Sequence, residues 1–206
     1  MVNHFDTVAH NWDKNQSYIE RTEAVAKALI DTIELNPQMT ALEFGAGTGM
    51  LGIALKDYFS KITLMDSSFQ MVCVTVGKIA AQGVHNLYPV FFDLEKDEYT
   101  DKTFDVIFSQ MTLHHIIDVN NVIVKLSNLL NPGGKIALVD LYKEDGTFHS
   151  RPFTGHNGFD TELLMKQLKK NKFHNISCKQ CYVIKKQIAN GTMKDFPIFL
   201  ITAERY

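Results

Sequence analysis

A glycine-rich loop is the first feature of the sequence whose residue types and spacing could do chemistry. It runs Glu43-Phe44-Gly45-Ala46-Gly47-Thr48-Gly49 and separates a short apolar run from a stretch with a helical pattern. Glycines at these positions permit positive φ and let a ligand approach the backbone closely. The free N–H groups that open the following helix favour a negative group. The loop therefore predicts a site for a nucleotide-like or carboxylate-bearing ligand.

Two acidic residues end apolar runs farther along the chain. Asp66 follows the run 62–65, and Asp93 follows the run 87–92. A carboxylate at Asp66 is placed to accept hydrogen bonds from both hydroxyls of a ribose, and one at Asp93 from an exocyclic amine. Without a ligand, Asp66 would cap the next helix and Asp93 would begin a solvated turn. Because the carboxyl ends of parallel strands meet at one edge of a sheet, the two together favour the ligand site.

The loop does not complete the dinucleotide fingerprint G-x-G-x-x-G. Its third glycine would stand at position 50, where the sequence has Met50. A nucleotide-cofactor oxidoreductase is disfavoured on this ground and is kept as a competing hypothesis. A second competing hypothesis is a catalytically silent nucleotide-binding module.

Alternating helical and strand patterns position these residues. Helical spacing runs from about Ser17 to Glu34, with Ser17 and Glu20 in the pattern of a capping box. Further helices are predicted at about 49–57, 69–81, 119–130 and 161–171, and strands at about 39–44, 62–65, 87–92, 104–109, 135–141, 176–185 and 196–203. Continuously apolar strands are typical of a sheet covered by helices on both faces.

These elements predict an α/β fold: a Rossmann-like, doubly wound, mostly parallel seven-stranded sheet. The turn containing Asn190-Gly191 predicts that the last two strands form a hairpin, with an antiparallel C-terminal strand. No linker or repeat divides the sequence, so one domain is expected over 1–206, including an N-terminal lid and helix segment over 1–36.

Composition excludes several classes of function. The 206 residues carry 21 Lys plus Arg and 23 Asp plus Glu, a net charge of −2 that disfavours a dedicated nucleic-acid binder. No apolar run approaches the roughly 18 residues of a membrane span, and no apolar leader opens the sequence. Three cysteines are too few for a secreted disulfide framework, so a cytoplasmic location is expected.

A C-x-x-C pair, Cys178 and Cys181, lies within a predicted strand. Residues three apart on a strand point to opposite faces, so the pair is not expected to chelate one ion. No His spacing typical of a metal centre is present either, and no metal is expected.

Taken in order, the motifs resemble the class I S-adenosylmethionine-dependent methyltransferases. The resemblance is carried by LEFGAGTG (42–49), the strand-end Asp66, FFD (91–93), FDVIFSQMTLHHI (104–116), LLNPGGKIALVD (129–140) and GFD (158–160). The chain looks most like the small-molecule group that includes the ubiquinone and menaquinone biosynthesis enzymes. The family resemblance implies S-adenosylmethionine as cofactor and a small-molecule acceptor.

The resemblance also implies roles for individual residues. The methionine part of the cofactor would pack against Gly45, Ala46, Gly47 and Gly49. The ribose would be bound by Asp66 and flanked by Ser67, and the adenine would contact Met71, Asp93 and Leu94. Ser109 and Gln110 would lie beneath the sulfonium. Trp12, Tyr18 and Arg21 lie on a segment that in such enzymes folds over the cofactor as a lid. Arg21 would pair with the cofactor carboxylate, and an aromatic ring would face the sulfonium; Trp12 is as readily explained as a core anchor.

Methyl transfer from a sulfonium is an in-line displacement that needs a base only when the acceptor must lose a proton. His114 and His115 follow the fourth predicted strand and are the candidate bases, with one of the two expected to face the pocket because neighbours should diverge. A structural role for both is an equal alternative.

The loop after the fourth strand also bears on the acceptor. It has Ser109-Gln110-Met111-Thr112 where DNA amino-methyltransferases of similar fold carry [DNS]-P-P-[YF], which argues against nucleic acid. The predicted lid over 5–18 and the loop over 148–159 are rich in aromatic residues and histidine, which suits an apolar or aromatic acceptor.

Overall fold

Seven strands form one mixed sheet in the computed structural model, which describes residues 4–100, 102–149 and 153–206. Residues 150–152 of the predicted aromatic loop and residues 1–3 of the N-terminal segment lie outside the described residues. The strands are β1 Thr40–Phe44, β2 Lys61–Asp66, β3 Leu87–Phe91, β4 Phe104–Gln110, β5 Leu130–Leu141, β6 Phe173–Gln187 and β7 Met193–Arg205. Their spatial order is β3-β2-β1-β4-β5-β7-β6.

The first five strands are parallel, and β7 inserts antiparallel between β5 and β6. The strand order reverses between β1 and β4, which places a topological switch point at the carboxyl ends of these two strands. The predicted α/β, doubly wound, mostly parallel sheet with a C-terminal hairpin is therefore confirmed.

Helices cover both faces of the sheet. They are α1 His4–Val8, α2 Gln16–Ile30, α3 Met50–Leu55, α4 Phe69–Gln82, α5 Val119–Leu129 and α6 Thr161–Lys170, with 3-10 turns at Ala9–Lys14, Lys56–Tyr58 and Leu113–His115. One core lies under α2 and α3, and the other lies under α5 and α6. Neighbouring residues of a strand enter opposite cores, as Ala41 and Leu42 do, which explains why the strands are apolar on both faces.

The C-terminal hairpin separates the two cysteines of the C-x-x-C pair. Cys181 packs beside the core under α2, whereas Cys178 packs beside the core under α6. Burial raises the pKa of the Cys181 thiol to about 12. The predicted divergence of the two side chains is confirmed, and the described residues hold no cluster of three His, Cys, Asp or Glu side chains suited to a metal ion.

Two local predictions were wrong. Helix α2 begins at Gln16 with Asn15 as its cap, whose Oδ1 accepts from the Ser17 amide at 3.0 Å, instead of a Ser17–Glu20 capping box. Asn is as good a cap as Ser, so the chain has two adjacent choices. The helix α5 passes directly into β5 at Leu130, where residue 135 was the predicted start of the strand. Among the described residues, no helix has the length and apolar character that crossing a membrane requires.

Candidate active site

The glycine loop leaves β1 and turns into α3 at the switch point. Gly45, Gly47 and Gly49 all have positive φ, at 69°, 55° and 72°. A Cβ on Gly45 would lie 2.2 Å from the Thr112 side chain, and one on Gly49 would lie 2.8 Å from Thr75. A Cβ on Gly47 would meet nothing within 4 Å. Two of these glycines are therefore needed by the fold, whereas the third leaves open space for a ligand.

Asp66 ties this loop to the end of β2. Its Oδ2 accepts a hydrogen bond from the Gly47 amide at 2.6 Å, and its Oδ1 accepts one from the Ser68 amide at 2.8 Å. Burial raises the pKa of the Asp66 carboxyl, and the two amide hydrogen bonds act in the opposite direction. Each carboxylate oxygen keeps a lone pair, so Asp66 can accept further hydrogen bonds from a ligand hydroxyl.

A cavity of about 230 Å³ opens beside the loop. Its lining combines the loop with the end of β2, the turn after β4 and the N-terminal segment: Phe5, Trp12, Arg21, Thr22, Glu43, Gly45, Ala46, Gly47, Thr48, Met50, Leu51, Asp66, Ser67, Met71, Glu95, Gln110, Met111, Thr112, His115 and Ile116. We call this the loop cavity. The structure thus brings together most of the residues that the resemblance assigns to a cofactor.

Arg21 and Gln110 present unpaired polar atoms at the loop cavity. Arg21 is 7% exposed, its Nε has no hydrogen-bond partner among the described residues, and its guanidinium lies 4.9 Å from the centre of the Tyr18 ring. Burial lowers the pKa of Arg21. Gln110 donates from Nε2 to Thr22 at 3.2 Å, while its buried Oε1 likewise has no partner. A cationic donor and an acceptor left open at one cavity suit the carboxylate and ammonium groups of an amino acid.

The N-terminal segment is fastened across the glycine loop by Asp13. Its Oδ1 accepts from the Thr48 hydroxyl at 2.5 Å, and its Oδ2 pairs with Lys78 Nζ at 2.5 Å. Lys78 also donates to the Thr48 carbonyl at 2.8 Å. A second attachment joins Asp6 to the Ser68 hydroxyl at 2.6 Å. These contacts hold residues 4–14, which we call the N-terminal cover, against the glycine loop and the start of α4, and Phe5 and Trp12 of this segment line the loop cavity.

Glu43 is a fully buried carboxyl at the end of β1. Its Oε2 accepts from the Gly52 amide at 2.9 Å, which fixes the start of α3 against the strand. Desolvation raises the pKa of Glu43 to about 8, outweighing the Gly52 hydrogen bond, which lowers it. A Cβ on Gly52 would lie 2.4 Å from Leu64 and 2.8 Å from this carboxyl, so close approach of α3 requires a glycine there.

A second cavity of about 270 Å³ adjoins the first. It is lined by His4, Phe5, Trp12, Asn15, Ser17, Tyr18, Arg21, Met111, His114, His115, Phe148, His149, Ile184 and Lys186. We call this the histidine cavity. Phe5, Trp12, Arg21, Met111 and His115 line both cavities, so the two meet behind the N-terminal cover.

Both candidate bases reach the histidine cavity. The ring centres of His114 and His115 lie 4.1 Å apart, and both residues line the histidine cavity, so the expectation that the neighbours diverge was wrong. Of the two, His115 also lines the loop cavity and His114 does not. Leu113–His115 form a 3-10 turn rather than a strand, and this geometry does not alternate side chains between two faces.

A buried carboxylate lies behind His114. Asp140 Oδ1 is 2.7 Å from His114 Nδ1, and Asp140 Oδ2 accepts from the His114 amide at 3.1 Å. Asp140 Oδ1 also accepts from the Leu141 amide at 2.7 Å. Asp140 is 0% exposed and is the second-last residue of β5, whereas His114 is 2% exposed. The end of β5 therefore fixes the orientation of the imidazole.

Five of the predicted cofactor residues are absent from the loop cavity lining: Gly49, Tyr18, Asp93, Leu94 and Ser109. Asp93 pairs with Lys96 at 2.6 Å, Leu94 packs into the core under α5, and Ser109 donates to the Phe44 carbonyl at 2.8 Å. Tyr18 lines only the histidine cavity. Of the other histidines beside the aromatic loop, His149 lines the histidine cavity, whereas His156 Nε2 contacts the Ile116 carbonyl at 2.9 Å.

Sequence reasoning missed several residues of this site. Asp13 and Lys78 are 65 positions apart and carry no motif, so nothing in the sequence pairs them. Asp140 closes the motif LLNPGGKIALVD, but its contact with His114 depends on the order of β4 and β5 in the sheet. Glu43 stands inside the glycine motif, and its position at a strand end was the available signal.

Comparison with known proteins assigns the family. The profile of the methyltransferase domain family matches residues 18–177. An uncharacterized methyltransferase of Schizosaccharomyces pombe is 30% identical over 168 residues, which cover 74% of this chain and 57% of that protein. A malonyl-[acyl-carrier protein] O-methyltransferase of Marinomonas is 26% identical over 143 residues, which cover 68% of this chain and 51% of that protein.

Solved structures share the fold. A SAM-dependent methyltransferase from Aquifex aeolicus superposes with a TM-score of 0.71 and 18% identity, covering 98% of each chain. The chain spans about half the length of the two curated relatives described above.

Proposed function

The chain belongs to the class I S-adenosylmethionine-dependent methyltransferase family, and we propose that it transfers a methyl group from S-adenosylmethionine to a small-molecule acceptor. The observation that carries this proposal is the loop cavity, where an open glycine and a strand-end carboxylate adjoin two unpaired polar groups. Gly47 and Asp66 suit a nucleoside, whereas Arg21 and Gln110 suit an amino acid. S-adenosylmethionine joins these two chemistries in one molecule.

Each group has a proposed role in binding. Asp66 accepts from the ribose hydroxyls with the lone pairs left free by Gly47 and Ser68, and Ser67 and Met71 flank the nucleoside. Arg21 binds the carboxylate and Gln110 Oε1 accepts from the ammonium. Gly45, Ala46 and Gly47 bring the backbone against the ligand, and Gly49 supports them as the residue that turns the chain into α3. Asp93, Leu94 and Ser109 do not line the loop cavity; they shape the turns whose other residues line it.

The bound cofactor supplies an electrophilic methyl group on a sulfonium, and the protein supplies alignment. We propose that the acceptor occupies the histidine cavity, since the two cavities meet at Met111 and His115. Aromatic side chains of Phe5, Trp12 and Phe148 form walls suited to an apolar or aromatic acceptor. Trp12 belongs to the N-terminal cover, and Tyr18 near the start of α2 packs against it, with 4.7 Å between ring centres.

We also propose that residues 1–206 act as a single domain. All seven strands share one sheet, and both cavities are built from the N-terminal segment together with that sheet. A reducing compartment such as the cytoplasm is the proposed setting, which the three unpaired cysteines suit.

Labelled methyl transfer tests the proposed function. The protein is incubated with S-adenosylmethionine carrying a ¹³CD₃ group and a protein-free extract of small molecules, and products are identified by mass spectrometry. We expect one or more small molecules to gain the labelled methyl group while S-adenosylhomocysteine accumulates. Failure to bind S-adenosylhomocysteine in a parallel calorimetric titration would overturn the proposal, whereas firm binding without any transfer would favour a silent binding module.

A further inference from the structure

We propose that His114, oriented by Asp140, is the general base that takes a proton from the acceptor, and that the acceptor is therefore methylated on a protonated oxygen or nitrogen. This inference rests on the proposed function, because it names the acceptor chemistry of the same site. It starts from the 2.7 Å contact between His114 Nδ1 and Asp140 Oδ1.

The contact decides the tautomer of the neutral imidazole. Asp140 is a carboxylate that also accepts from the amides of His114 and Leu141, at 3.1 and 2.7 Å. An ionised carboxylate can only accept hydrogen bonds, so the 2.7 Å contact places the proton of the neutral His114 imidazole on Nδ1. The lone pair then resides on Nε2, on the opposite side of the ring.

His114 is held at the wall of the histidine cavity. Its ring packs edge-on to Phe148 at 6.3 Å between centres and lies beside His149 at 5.4 Å. Its backbone is clamped from outside, because the His156 amide donates to the His114 carbonyl at 2.7 Å. A Cβ on Gly155 would lie 2.1 Å from this carbonyl, so the clamp requires a glycine.

A purely structural role does not account for this arrangement well. A buried imidazole serving only as a core residue would need one hydrogen bond to a backbone carbonyl. The partner of His114 is instead a fully buried carboxylate, Asp140. Burying the charged Asp140 carboxylate costs free energy unless its hydrogen bonds compensate. In return, the buried carboxylate fixes the orientation of the His114 ring. This is the base-and-orienter geometry expected of proton abstraction.

The chemical step balances with these groups. The acceptor O–H or N–H gives its proton to Nε2 of His114, and the electron pair released on oxygen or nitrogen forms the bond to the methyl carbon. The carbon–sulfur bond breaks with its electron pair on sulfur, which cancels the sulfonium charge. The imidazolium is stabilised by Asp140 until it releases its proton to water.

Other charged and titratable groups face the same cavity and affect the pH dependence. His115 and His149 contact the ring from the neighbouring turn and loop, and His4 lines the cavity from α1. Arg21 from α2 and Lys186 from β6 add positive charge to the lining. Burial lowers the pKa of Lys186, whose Nζ donates to the Phe148 carbonyl at 2.5 Å.

The test is a nitrogen NMR measurement that needs no known acceptor. In the ¹⁵N-labelled protein with S-adenosylhomocysteine at pH 7.5, the ring signals of His114 are assigned by their loss in His114→Gln. We expect a protonated, pyrrole-type Nδ1 and an unprotonated, pyridine-type Nε2. In Asp140→Asn the amide can donate to Nδ1, so the proton should move to Nε2. A proton on Nε2 in the unmodified protein would overturn the proposal.

A second arm measures transfer from tritiated S-adenosylmethionine to paired probes. Phenols and aliphatic amines carry a removable proton, whereas pyridine and dimethyl sulfide do not. We expect transfer to the first group, a loss of roughly 10²-fold or more in kcat in Asp140→Asn at pH 7, and partial recovery at higher pH. Transfer confined to the proton-free probes, or an unchanged pH profile in Asp140→Asn, would contradict the base. Should no probe be methylated, the NMR result decides.

Controls separate folding and cofactor binding from proton transfer. Asp31→Asn, an exposed residue paired with Lys27, is the matched substitution and should leave the His114 signals unchanged. Thermal unfolding and calorimetric titration with S-adenosylhomocysteine accompany each variant. If the unmodified protein binds S-adenosylhomocysteine but carries the His114 proton on Nε2, this inference alone is wrong. If the unmodified protein does not bind S-adenosylhomocysteine, the proposed function is wrong.

Discussion

The Asp66 carboxylate accepts a hydrogen bond from the Gly47 amide at 2.6 Å, so the end of β2 fixes the conformation of the loop that leaves β1. This contact joins two roles in one residue. Asp66 shapes the backbone at which a ligand would lie, and it also lines the loop cavity with lone pairs left to accept further hydrogen bonds. The geometry of the loop and its capacity to bind a ribose are therefore linked.

Gly47→Ala should weaken binding of S-adenosylhomocysteine. Its φ of 55° strains an L residue by about 1–2 kcal/mol, and the added methyl group would project into the open space of the cavity. Gly83→Ala is the matched control, because Gly83 has a φ of 63° with equally open surroundings at the end of α4. Calorimetry and thermal unfolding should show similar destabilisation of both variants and lost affinity in Gly47→Ala alone. Equal affinity in the two variants would contradict a ligand at Gly47.

Arg21→Met should distinguish ligands by their carboxylate. Titration with S-adenosylhomocysteine should weaken by about 1.5–3 kcal/mol, the usual range for a hydrogen bond to a charged group. Titration with 5′-methylthioadenosine, which lacks the amino acid, should be unchanged. The free energy of unfolding should not fall, because the substitution removes a buried cation whose Nε has no described partner. Lys27→Met, on an exposed position of the same helix, is the control. Equal weakening for both ligands would show that Arg21 acts only on the structure.

Glu43 should make the protein less stable as the pH rises from about 4.5 to about 8. Its pKa is raised to about 8 in the folded protein, so over this interval the unfolded chain has lost a proton that the folded one retains. The free energy of unfolding then falls with pH, by at most about 1.4 kcal/mol per pH unit from this group. Below the unfolded pKa the contribution is complete, and above about 8 it is lost. Urea denaturation should show a shallower decline in Glu43→Gln, and parallel curves would refute the assigned cause.

Asp13→Asn should loosen the N-terminal cover. The substitution weakens the pairing with Lys78 across the glycine loop, and the neighbouring Trp12 is the sole tryptophan of the chain. We expect greater acrylamide quenching of Trp12 fluorescence and faster dissociation of S-adenosylhomocysteine in stopped flow. Asp57→Asn, which removes an exposed pairing with Lys56, serves as control. If quenching rises while dissociation stays constant, the segment does not cover the ligand.

The sequence predicted the sheet and the meeting of the glycine loop with Asp66 because both depend on local patterns. Apolar runs set the strands, and parallel strands bring their carboxyl ends together. The partnership of His114 with Asp140 needed the lateral order of β4 and β5, which strand patterns do not encode. The convergence of His114 and His115 depended on a single 3-10 turn. Asp13 and Lys78 meet only because the N-terminal segment folds back over α4.

Calorimetry distinguishes S-adenosylmethionine from a dinucleotide as the ligand of the loop cavity. The unmodified protein and Asp66→Ala are titrated with S-adenosylhomocysteine and, separately, with NADH. We expect S-adenosylhomocysteine alone to bind, and its affinity to fall by about 1–3 kcal/mol when the ribose contact is removed. Binding of NADH in its place, or of neither ligand, would contradict the assignment of the loop cavity to S-adenosylmethionine.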